Sequence, residues 1–326
     1  MHRKLMRREN LTREEARAAM NGIMSGKSSH VQTAAFLVAL QMKGPTREEI
    51  TALAMEMRSH GVSIRPSREP LVDTCGTGGD SSNTFNISTA AALIAAGANV
   101  PIAKHGNRSV SSSCGSADVL EALGVRMLQP EEVESCINRI GIGFMFAPYF
   151  HPAMKNVAPV RKELETRTIF NILGPLANPA GASAQVLGVF DPELTEIMAR
   201  VLLDLGTKRA LVVHSEGMDE IGLGCTRVSE LLNGQVDTTI IHAADFGIER
   251  QPVPKVSSKE ESASIIRGVL NGDRGPARAI AALNAAAAIY VAGLAGGIAD
   301  GLERAFASID SKAALAKLDE LRDFKP

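Results

Sequence analysis

The first 60 residues repeat apolar side chains at the spacing of amphipathic helices, with polar positions between them. Thr12 with Glu15, and Thr46 with Glu49, have the spacing of N-terminal capping boxes. In such a box a hydroxyl and a carboxylate satisfy backbone N–H groups that the first helical turn leaves free. The two pairs therefore predict two helix starts within this stretch.

An apolar run over Val31 to Met42 predicts a further helix, ending at the stop signal Lys43-Gly44-Pro45. We expect residues 1 to 65 to form a small all-helical domain and Val62 to Pro70 to serve as its linker. Residues 70 to 326 are then expected to form a second, larger domain.

The pattern changes after the linker to short apolar runs that are typical of buried strands. They lie at Leu71–Asp73, Val100–Ala103, Ala184–Phe190 and Ala210–His214. Because helical segments lie between them, this alternation favours an α/β domain with a central, mainly parallel sheet. A hairpin is predicted over Glu230 to Ile241, turning at Asn233-Gly234. The Ala-rich stretch from Ala277 to Ala299 is interpreted as a buried helix rather than a membrane span, since polar residues and glycines interrupt it.

Composition narrows the function classes only slightly. The chain has 326 residues and a net charge of −1, so it lacks the basic excess of a nucleic-acid-binding protein. Its four cysteines form no C-x-x-C pair, and we expect reduced thiols in a cytoplasmic protein without a membrane segment. Cys75 and Cys114 lie inside motifs, where small-residue packing is favoured over a nucleophilic role.

The most informative segment is DTCGTGGDSSNTFNIST, residues 73 to 89. Three glycines within four positions allow backbone N–H groups to approach an anion closely. Ser88 or Thr89 is expected to cap the helix that begins at Ala90, where the helix dipole also favours a phosphate. Asp80 fits a sugar hydroxyl or a phosphate-bound cation. The spacing matches neither a Walker loop nor a dinucleotide fingerprint, and an ordinary glycine-rich loop before a capped helix remains the alternative.

A second polar segment, KHGNRSVSSSCGSAD, follows the strand Val100–Ala103. Lys104 and Arg108 supply positive charge, and Asn107 supplies both donors and an acceptor. So polar a loop directly after a core strand indicates a binding site, while a solvated polar loop is the alternative.

Two further groups carry candidate chemistry. The adjacent carboxylates Asp219-Glu220, placed after a core strand, suit Mg²⁺, although a solvent-facing acidic turn would have the same sequence. Arg161 offers a guanidinium fork for a substrate carboxylate, and Arg167 is the neighbouring candidate. From the residues alone, the charged surroundings of Arg161 favour an ordinary surface arginine. No sequence pattern indicates a zinc site or a hydrolase elbow.

These motifs together resemble the anthranilate phosphoribosyltransferase family. The resemblance rests on DxxGTGGD, NxST and KHGNRxxSSxxGSADxLEALG, and it continues through residues 151–164, 167–182 and 217–221. It covers most of the chain in the family's order and spacing. It implies transfer of a phosphoribosyl group from 5-phosphoribosyl 1-diphosphate to the amine of anthranilate, in tryptophan biosynthesis. It also implies an active site in the cleft between the two domains, with residues of about 163–183 packing back onto the helical domain.

The resemblance also implies residue roles. The phosphoribosyl diphosphate site would comprise Gly76, Gly79, Asp80, Thr84, Asn86, Ile87, Ser88, Thr89, Lys104, His105, Gly106, Asn107, Arg108, Ser109, Val110, Ser111, Ser112 and Ser116. Anthranilate would meet Gly76, Asn107 and Arg161, with His105 lining its pocket. Two Mg²⁺ ions per subunit would be held by Ser88, Asp219 and Glu220. No acid–base residue is expected, because positioning and electrostatics suffice for a largely dissociative transfer.

Three further expectations complete the interpretation. The family is typically dimeric through its helical domain, so a homodimer is expected. The stretch GLGCTRVSEL is shorter than its family counterpart, which leaves the loop after Glu220 undefined. The alternatives are a pyrimidine nucleoside phosphorylase of the same fold and a nucleic-acid-binding relative without activity. The loop at 167–181 and Asp219-Glu220 argue against the first, and the near-neutral charge argues against the second.

Overall fold

The computed structural model describes residues 2–80, 82–109 and 114–326. The N-terminal part is helical throughout: α1 (His2–Met6), α2 (Arg13–Met24), α3 (His30–Lys43) and α4 (Arg47–Ser59). Both predicted capping boxes are confirmed, with Thr12 and Glu15 at the start of α2 and Thr46 and Glu49 at the start of α4. α3 begins with a third box, built from Ser29 and Gln32.

A seven-stranded sheet organises the rest of the described chain. Its strands are β1 (Val72–Asp73), β2 (Ile102–Gly106), β3 (Ile142–Phe146), β4 (Ala184–Gly188), β5 (Arg209–His214), β6 (Cys225–Leu232) and β7 (Gln235–His242). The order is β3-β2-β1-β4-β5-β6-β7; the first five strands in this order run parallel, and the β6–β7 hairpin adds two antiparallel strands. The predicted parallel sheet and the hairpin are confirmed, and β3 is a strand that the sequence interpretation missed.

Helices cover both faces of the sheet. In chain order they are α5 (Ile87–Gly97), α6 (Ser116–Ala122), α7 (Pro130–Ile140), α8 (Ala147–Phe150), α9 (Ala158–Leu164), α10 (Phe170–Leu173), α11 (Leu194–Asp204), α12 (Lys259–Leu270), α13 (Pro276–Val291), α14 (Ile298–Asp310) and α15 (Ala313–Arg322). The single helix predicted over Ala277 to Ala299 is wrong in extent. α13 ends at Val291, since Gly293 takes a positive φ of 74° and a new helix starts at Ile298. None of the described helices is long and apolar enough to cross a bilayer.

Two apolar cores lie on opposite sides of the sheet. One packs α5 and α12–α15 against the sheet. The other joins α2–α4 to α11 and to apolar residues of the 157–177 segment, among them Ile169, Phe170 and Leu176. Arg47 on α4 adds two hydrogen bonds to Asp204 on α11, at 2.8 and 2.6 Å. The N-terminal helices are therefore packed onto the α/β part through α11 and this connecting segment.

Candidate active site

The sheet reverses its strand order between β1 and β4, and this is where the candidate site lies. From β1 the chain proceeds outward to β2 and β3, whereas β4 leads in the other direction to β5. Ligands of open α/β sheets bind at such a switch point, beyond the carboxyl ends of the strands. A cavity at this point is lined by Thr74, Gly76, Ser88, Ala91, Val186, Gly188, Asp219, Glu220 and Asn284.

The glycine-rich loop after β1 is fixed by contacts to the ends of two other strands. The N–H of Thr77 donates to the Gly188 carbonyl at 2.9 Å, and the N–H of Gly78 donates to the Asp219 carboxylate at 2.7 Å. A Cβ at Gly188 would lie 1.5 Å from the backbone oxygen of Asp219, and one at Gly76 would lie 2.7 Å from its carboxylate. Only glycine therefore allows this approach at position 188, a requirement that the sequence interpretation missed.

The helix that follows the loop begins one turn earlier than expected. The prediction that Ser88 or Thr89 caps it is wrong: Asn86 is the N-cap of α5, and its side chain accepts from the N–H of Thr89 at 3.1 Å. An asparagine is as suitable an N-cap as serine or threonine, because its amide oxygen also reaches the N–H of the third helical residue. Ile87 and Thr89 are buried, whereas Ser88 lines the cavity.

Asp219 and Glu220 line the cavity, and Asp80 lies beside them. The backbone N–H of Asp219 lies 3.5 Å from the Asp80 carboxylate, and Glu220 follows directly. Burial and the neighbouring charge of Asp80 raise the pKa of Asp219, while burial and the charge of Asp219 raise the pKa of Glu220. Like charges held this close are stabilised by a cation between them.

These donors fit Mg²⁺, which prefers oxygen ligands and often binds through one or two carboxylates plus substrate phosphates. Among the described residues, no three His, Cys, Asp or Glu side chains form a complete ligand cluster. The chain would thus provide part of a coordination shell, and phosphate oxygens would supply the remainder. Lys104 is the nearby cation: its buried Nζ donates to the Thr74 carbonyl at 2.7 Å and to the Ser88 hydroxyl at 3.2 Å.

A buried asparagine that the sequence interpretation missed holds the acidic turn. The amide oxygen of Asn284 on α13 accepts from the N–H of Ile221 at 2.9 Å, and its Nδ2 donates to the Ile221 carbonyl at 2.9 Å. Ile221 directly follows Glu220, so both backbone groups next to the carboxylates are fixed by one side chain. Asn284 had appeared only as a polar interruption of the Ala-rich stretch.

The second polar loop is closed at its base. A Cβ at Gly106 would lie 2.2 Å from the Ser116 hydroxyl, and the N–H of Ala117 donates to the Asn107 carbonyl at 3.2 Å. Asn107 itself is exposed. Between these ends, Val110, Ser111 and Ser112 lie outside the described residues.

Several predicted site residues make contacts within the chain. The guanidinium of Arg108 is held by Glu121 at 2.6 Å and Asp118 at 3.1 Å, and the N–H of Ser109 also donates to Asp118. Thr84 pairs with Lys255 in an isolated β-bridge. The Gly79 carbonyl accepts from Arg167, whose guanidinium also lies 4.2 Å from the centroid of the Phe190 ring.

His105 and His151 form a buried pair with ring centroids 5.2 Å apart. Burial lowers the pKa of His105 to about 3 and that of His151 to about 4, so both are neutral at pH 7. Burial likewise raises the pKa of Cys114 to about 11, and that of Cys75 even further. Neither thiol is suited to act as a nucleophile, which agrees with the packing role favoured above.

Within the described residues the Arg161 side chain makes no hydrogen bond or ion pair, whereas those of Arg108 and Arg167 do. Arg161 lies on α9, half-buried, with its guanidinium 5.6 Å from the centroid of the Phe170 ring. Burial lowers its pKa, and within the described residues its side chain has no carboxylate partner. The charged neighbours Lys162, Glu163 and Glu165 do not pair with it, so the ordinary surface arginine suggested by the sequence alone is not what the structure contains.

Comparisons with known proteins find relatives along nearly the whole chain. Residues 68–315 match the sequence model described as the glycosyl transferase family a/b domain, and residues 1–61 match that family's helical bundle domain. An anthranilate phosphoribosyltransferase of Methanocorpusculum labreanum is 54% identical over 98% of this chain and 95% of its own length.

Two solved structures share the fold over nearly the whole chain. The anthranilate phosphoribosyltransferase of Thermus thermophilus superposes with a TM-score of 0.94 at 45% identity, covering 98% of each chain. The Saccharomyces cerevisiae enzyme, in complex with PRPP and Mg, superposes with a TM-score of 0.91 at 28% identity, covering 99% of this chain and 96% of its own.

Proposed function

The chain belongs to the anthranilate phosphoribosyltransferase family, and from this premise we propose how its own residues carry out the reaction. The enzyme transfers the phosphoribosyl group of 5-phosphoribosyl 1-diphosphate to the amine of anthranilate, giving N-(5-phosphoribosyl)anthranilate and diphosphate, in tryptophan biosynthesis. The observation that carries the residue assignment is the cavity where Gly76, Ser88, Asp219 and Glu220 meet.

The donor binds between the glycine-rich loop and the start of α5. The N-terminal dipole of α5 attracts its phosphates, together with N–H groups of the loop other than those of Thr77 and Gly78, which are bound to Gly188 and Asp219. Asn86 and Thr89 set the first turn of this helix, and Lys104 adds positive charge next to Ser88. Asp80 would face the ribose hydroxyls or a phosphate-bound cation.

The metal side of the site is formed by Asp219, Glu220 and Ser88, and we propose two Mg²⁺ ions there. When bound, Mg²⁺ would neutralise the negative charge that develops on the departing diphosphate. The solved yeast relative in complex with PRPP and Mg supports use of this metal. The two carboxylates hold the ligand positions, and Asn284 keeps their turn in place.

Anthranilate binds on the side of Arg161. A guanidinium without a carboxylate partner, half-removed from water, is suited to the carboxylate of the acceptor. Asn107 and Gly76 would complete this side, with the neutral His105 beside the aromatic ring. The amine is then directed at the anomeric carbon, so that positioning supplies much of the rate acceleration.

Two features of the surroundings extend the proposal. The four described cysteines are all free thiols, which supports a reducing, cytoplasmic location. The helical unit carries exposed apolar side chains on α1 and α3, which supports a homodimer formed through that unit.

The residue assignment is tested by the loss of anthranilate fluorescence on addition of phosphoribosyl diphosphate and Mg²⁺. The wild type is expected to consume anthranilate, and Asp219→Ala/Glu220→Ala is expected to lose activity by at least about 100-fold, because two metal ligands are removed. An Asp310→Ala variant, which removes an exposed carboxylate on α14, serves as the matched control.

Equal rates in the wild type and the double variant would overturn the metal assignment. Phosphate-dependent release of base from thymidine or uridine, without turnover of anthranilate, would instead identify a nucleoside phosphorylase.

A further inference from the structure

A buried carboxylate–amide pair lies directly beneath both substrate loops. Asp73 is the last residue of β1 and is 0% exposed, and Asn178 follows the connecting segment and is 6% exposed. The Nδ2 of Asn178 donates to Asp73 at 2.7 Å. Neither side chain lines the cavity, so neither is needed to bind a substrate directly.

Asp73 contacts the chain at the start of both loops. Its second carboxylate oxygen accepts from the backbone N–H of His105 at 3.1 Å. The glycine-rich loop starts immediately after Asp73, and Asn107 lies two residues beyond His105. One carboxylate therefore sets the spacing between the glycine-rich loop and the loop that carries Asn107.

Asn178 uses every hydrogen-bonding position of its amide. Besides Asp73, Nδ2 donates to the Ala103 carbonyl of β2 at 2.9 Å. Its oxygen accepts from the N–H of Ala180 at 3.0 Å and from that of Ala182 at 3.4 Å. Such complete use of a buried amide fixes the orientation of all the segments it touches.

The segment that carries Asn178 also contacts the helical unit and its linker. Arg58 of α4 donates from Nε to the Leu176 carbonyl at 2.6 Å, and the N–H of Ile64 donates to the Pro179 carbonyl at 3.1 Å. Apolar residues of α2–α4 also pack with Ile169, Phe170 and Leu176, which precede Asn178 in the chain. The pair thus links the helical unit to both loops.

We propose that Asp73 and Asn178 are positioning residues that hold the glycine-rich loop and the loop that carries Asn107 in register for transfer. This inference rests on the proposed function of the two loops. Loss of the register would leave each substrate able to bind but would misplace the amine relative to the anomeric carbon. A displacement of about 1 Å from a remote change costs roughly 100-fold in rate.

The test uses the full-length enzyme with Asn178→Asp, Asp73→Asn and the swapped double variant. The first places two carboxylates together, and the second places two amides together. The swap restores one carboxylate facing one amide, although the Ala103 carbonyl loses its donor. Ser308→Ala is the control for loss of a buried hydrogen bond, since Ser308 donates to the Ile94 carbonyl at 2.8 Å, away from both loops.

Each protein is measured for kcat, both KM values, Mg²⁺-dependent binding of phosphoribosyl diphosphate by calorimetry, and diphosphate released without transfer. We calculate kcat per site that still binds phosphoribosyl diphosphate. For each single variant this kcat is expected to fall by roughly 10- to 100-fold, while the affinity for phosphoribosyl diphosphate stays within about three-fold of the wild type. The uncoupled share of diphosphate release should rise. The swap should regain at least about three-fold in kcat over both single variants.

Unchanged kcat per binding-competent site, or a loss of donor affinity equal to the loss of kcat, would overturn the proposal. If Asn178→Asp does not fold, Asn178→Ser decides by the same values, because it removes the contact with Asp73 without burying a charge. A wild type that fails to consume anthranilate would overturn the proposed function and this inference with it. A wild type with normal turnover beside unaffected variants would overturn the inference alone.

Discussion

At the scale of single residues, an unpaired cation is the most specific feature of the proposed acceptor side. Exposed arginines such as Arg108 and Arg200 are paired with carboxylates, whereas Arg161 faces only the Phe170 ring within the described residues. Removing a guanidinium from water without a partner is unfavourable unless a ligand compensates. An arginine in this state is therefore poised for an anionic substrate.

Arg161→Gln is expected to raise KM for anthranilate. Hydrogen bonds to a charged group contribute about 1.5–3 kcal/mol, so the increase should be roughly 10- to 100-fold. KM for phosphoribosyl diphosphate should remain nearly constant, and Arg161→Lys should recover only part of the effect because it lacks the bidentate fork.

Steady-state fluorescence with each substrate varied in turn gives both constants. Lys162→Gln, at an exposed neighbouring position, is the matched control. An unchanged KM for anthranilate in Arg161→Gln would remove this residue from the acceptor site.

At the scale of elements, α13 supports the acidic turn through Asn284. The two hydrogen bonds to Ile221 lie in the core, where water does not replace them. Residues that orient metal ligands typically change metal affinity by about 10- to 100-fold when replaced. The helix is therefore expected to contribute to metal binding at the proposed site, although none of its residues is a proposed ligand.

Asn284→Leu is expected to raise the Mg²⁺ concentration that gives half-maximal turnover by roughly ten-fold or more. It should also lower stability by about 2–4 kcal/mol, because a buried N–H and a buried carbonyl lose their partner. Calorimetry of Mg²⁺ binding in the presence of diphosphate measures the change in metal affinity. Urea unfolding measures the change in stability separately. Asn271→Ala, on an exposed helix end, is the control. Lower stability with an unchanged Mg²⁺ requirement would assign Asn284 a purely structural role.

Features that depend on neighbouring residues could be predicted from the sequence, whereas contacts between distant residues could not. Short sequence patterns were enough to predict the glycine-rich loop, the capping boxes and the position of the adjacent carboxylates after β5. The Asn86 cap was missed because Ser88 and Thr89 offered the same chemistry two and three residues later. Asn178 and Asn284 were missed because their partners lie 105 and 63 residues away. Such contacts depend on how the strands are ordered, which no local pattern specifies.

At the scale of the whole molecule, the helical unit has an apolar face that no described part of the chain covers. Val31, Val38 and Met42 of α3 are 79%, 38% and 74% exposed, and Met6 of the adjacent α1 is 78% exposed. Positions seven and eleven residues apart return to the same side of a helix. The result is a continuous apolar stripe, and a second copy of the chain would cover it in a two-fold, self-complementary contact.

Val38→Glu/Met42→Glu is therefore expected to convert a dimer of two 34.5 kDa chains into a monomer. Light scattering after size-exclusion chromatography reports the mass, and Ile240→Glu is the control, because Ile240 is 51% exposed and lies on β7, outside the helical unit. Turnover per chain should persist in the monomer, since the proposed donor, metal and acceptor residues all belong to one chain. A wild type that is already monomeric would rule out this interface, and a monomer without activity would mean that the dimer contact maintains the site.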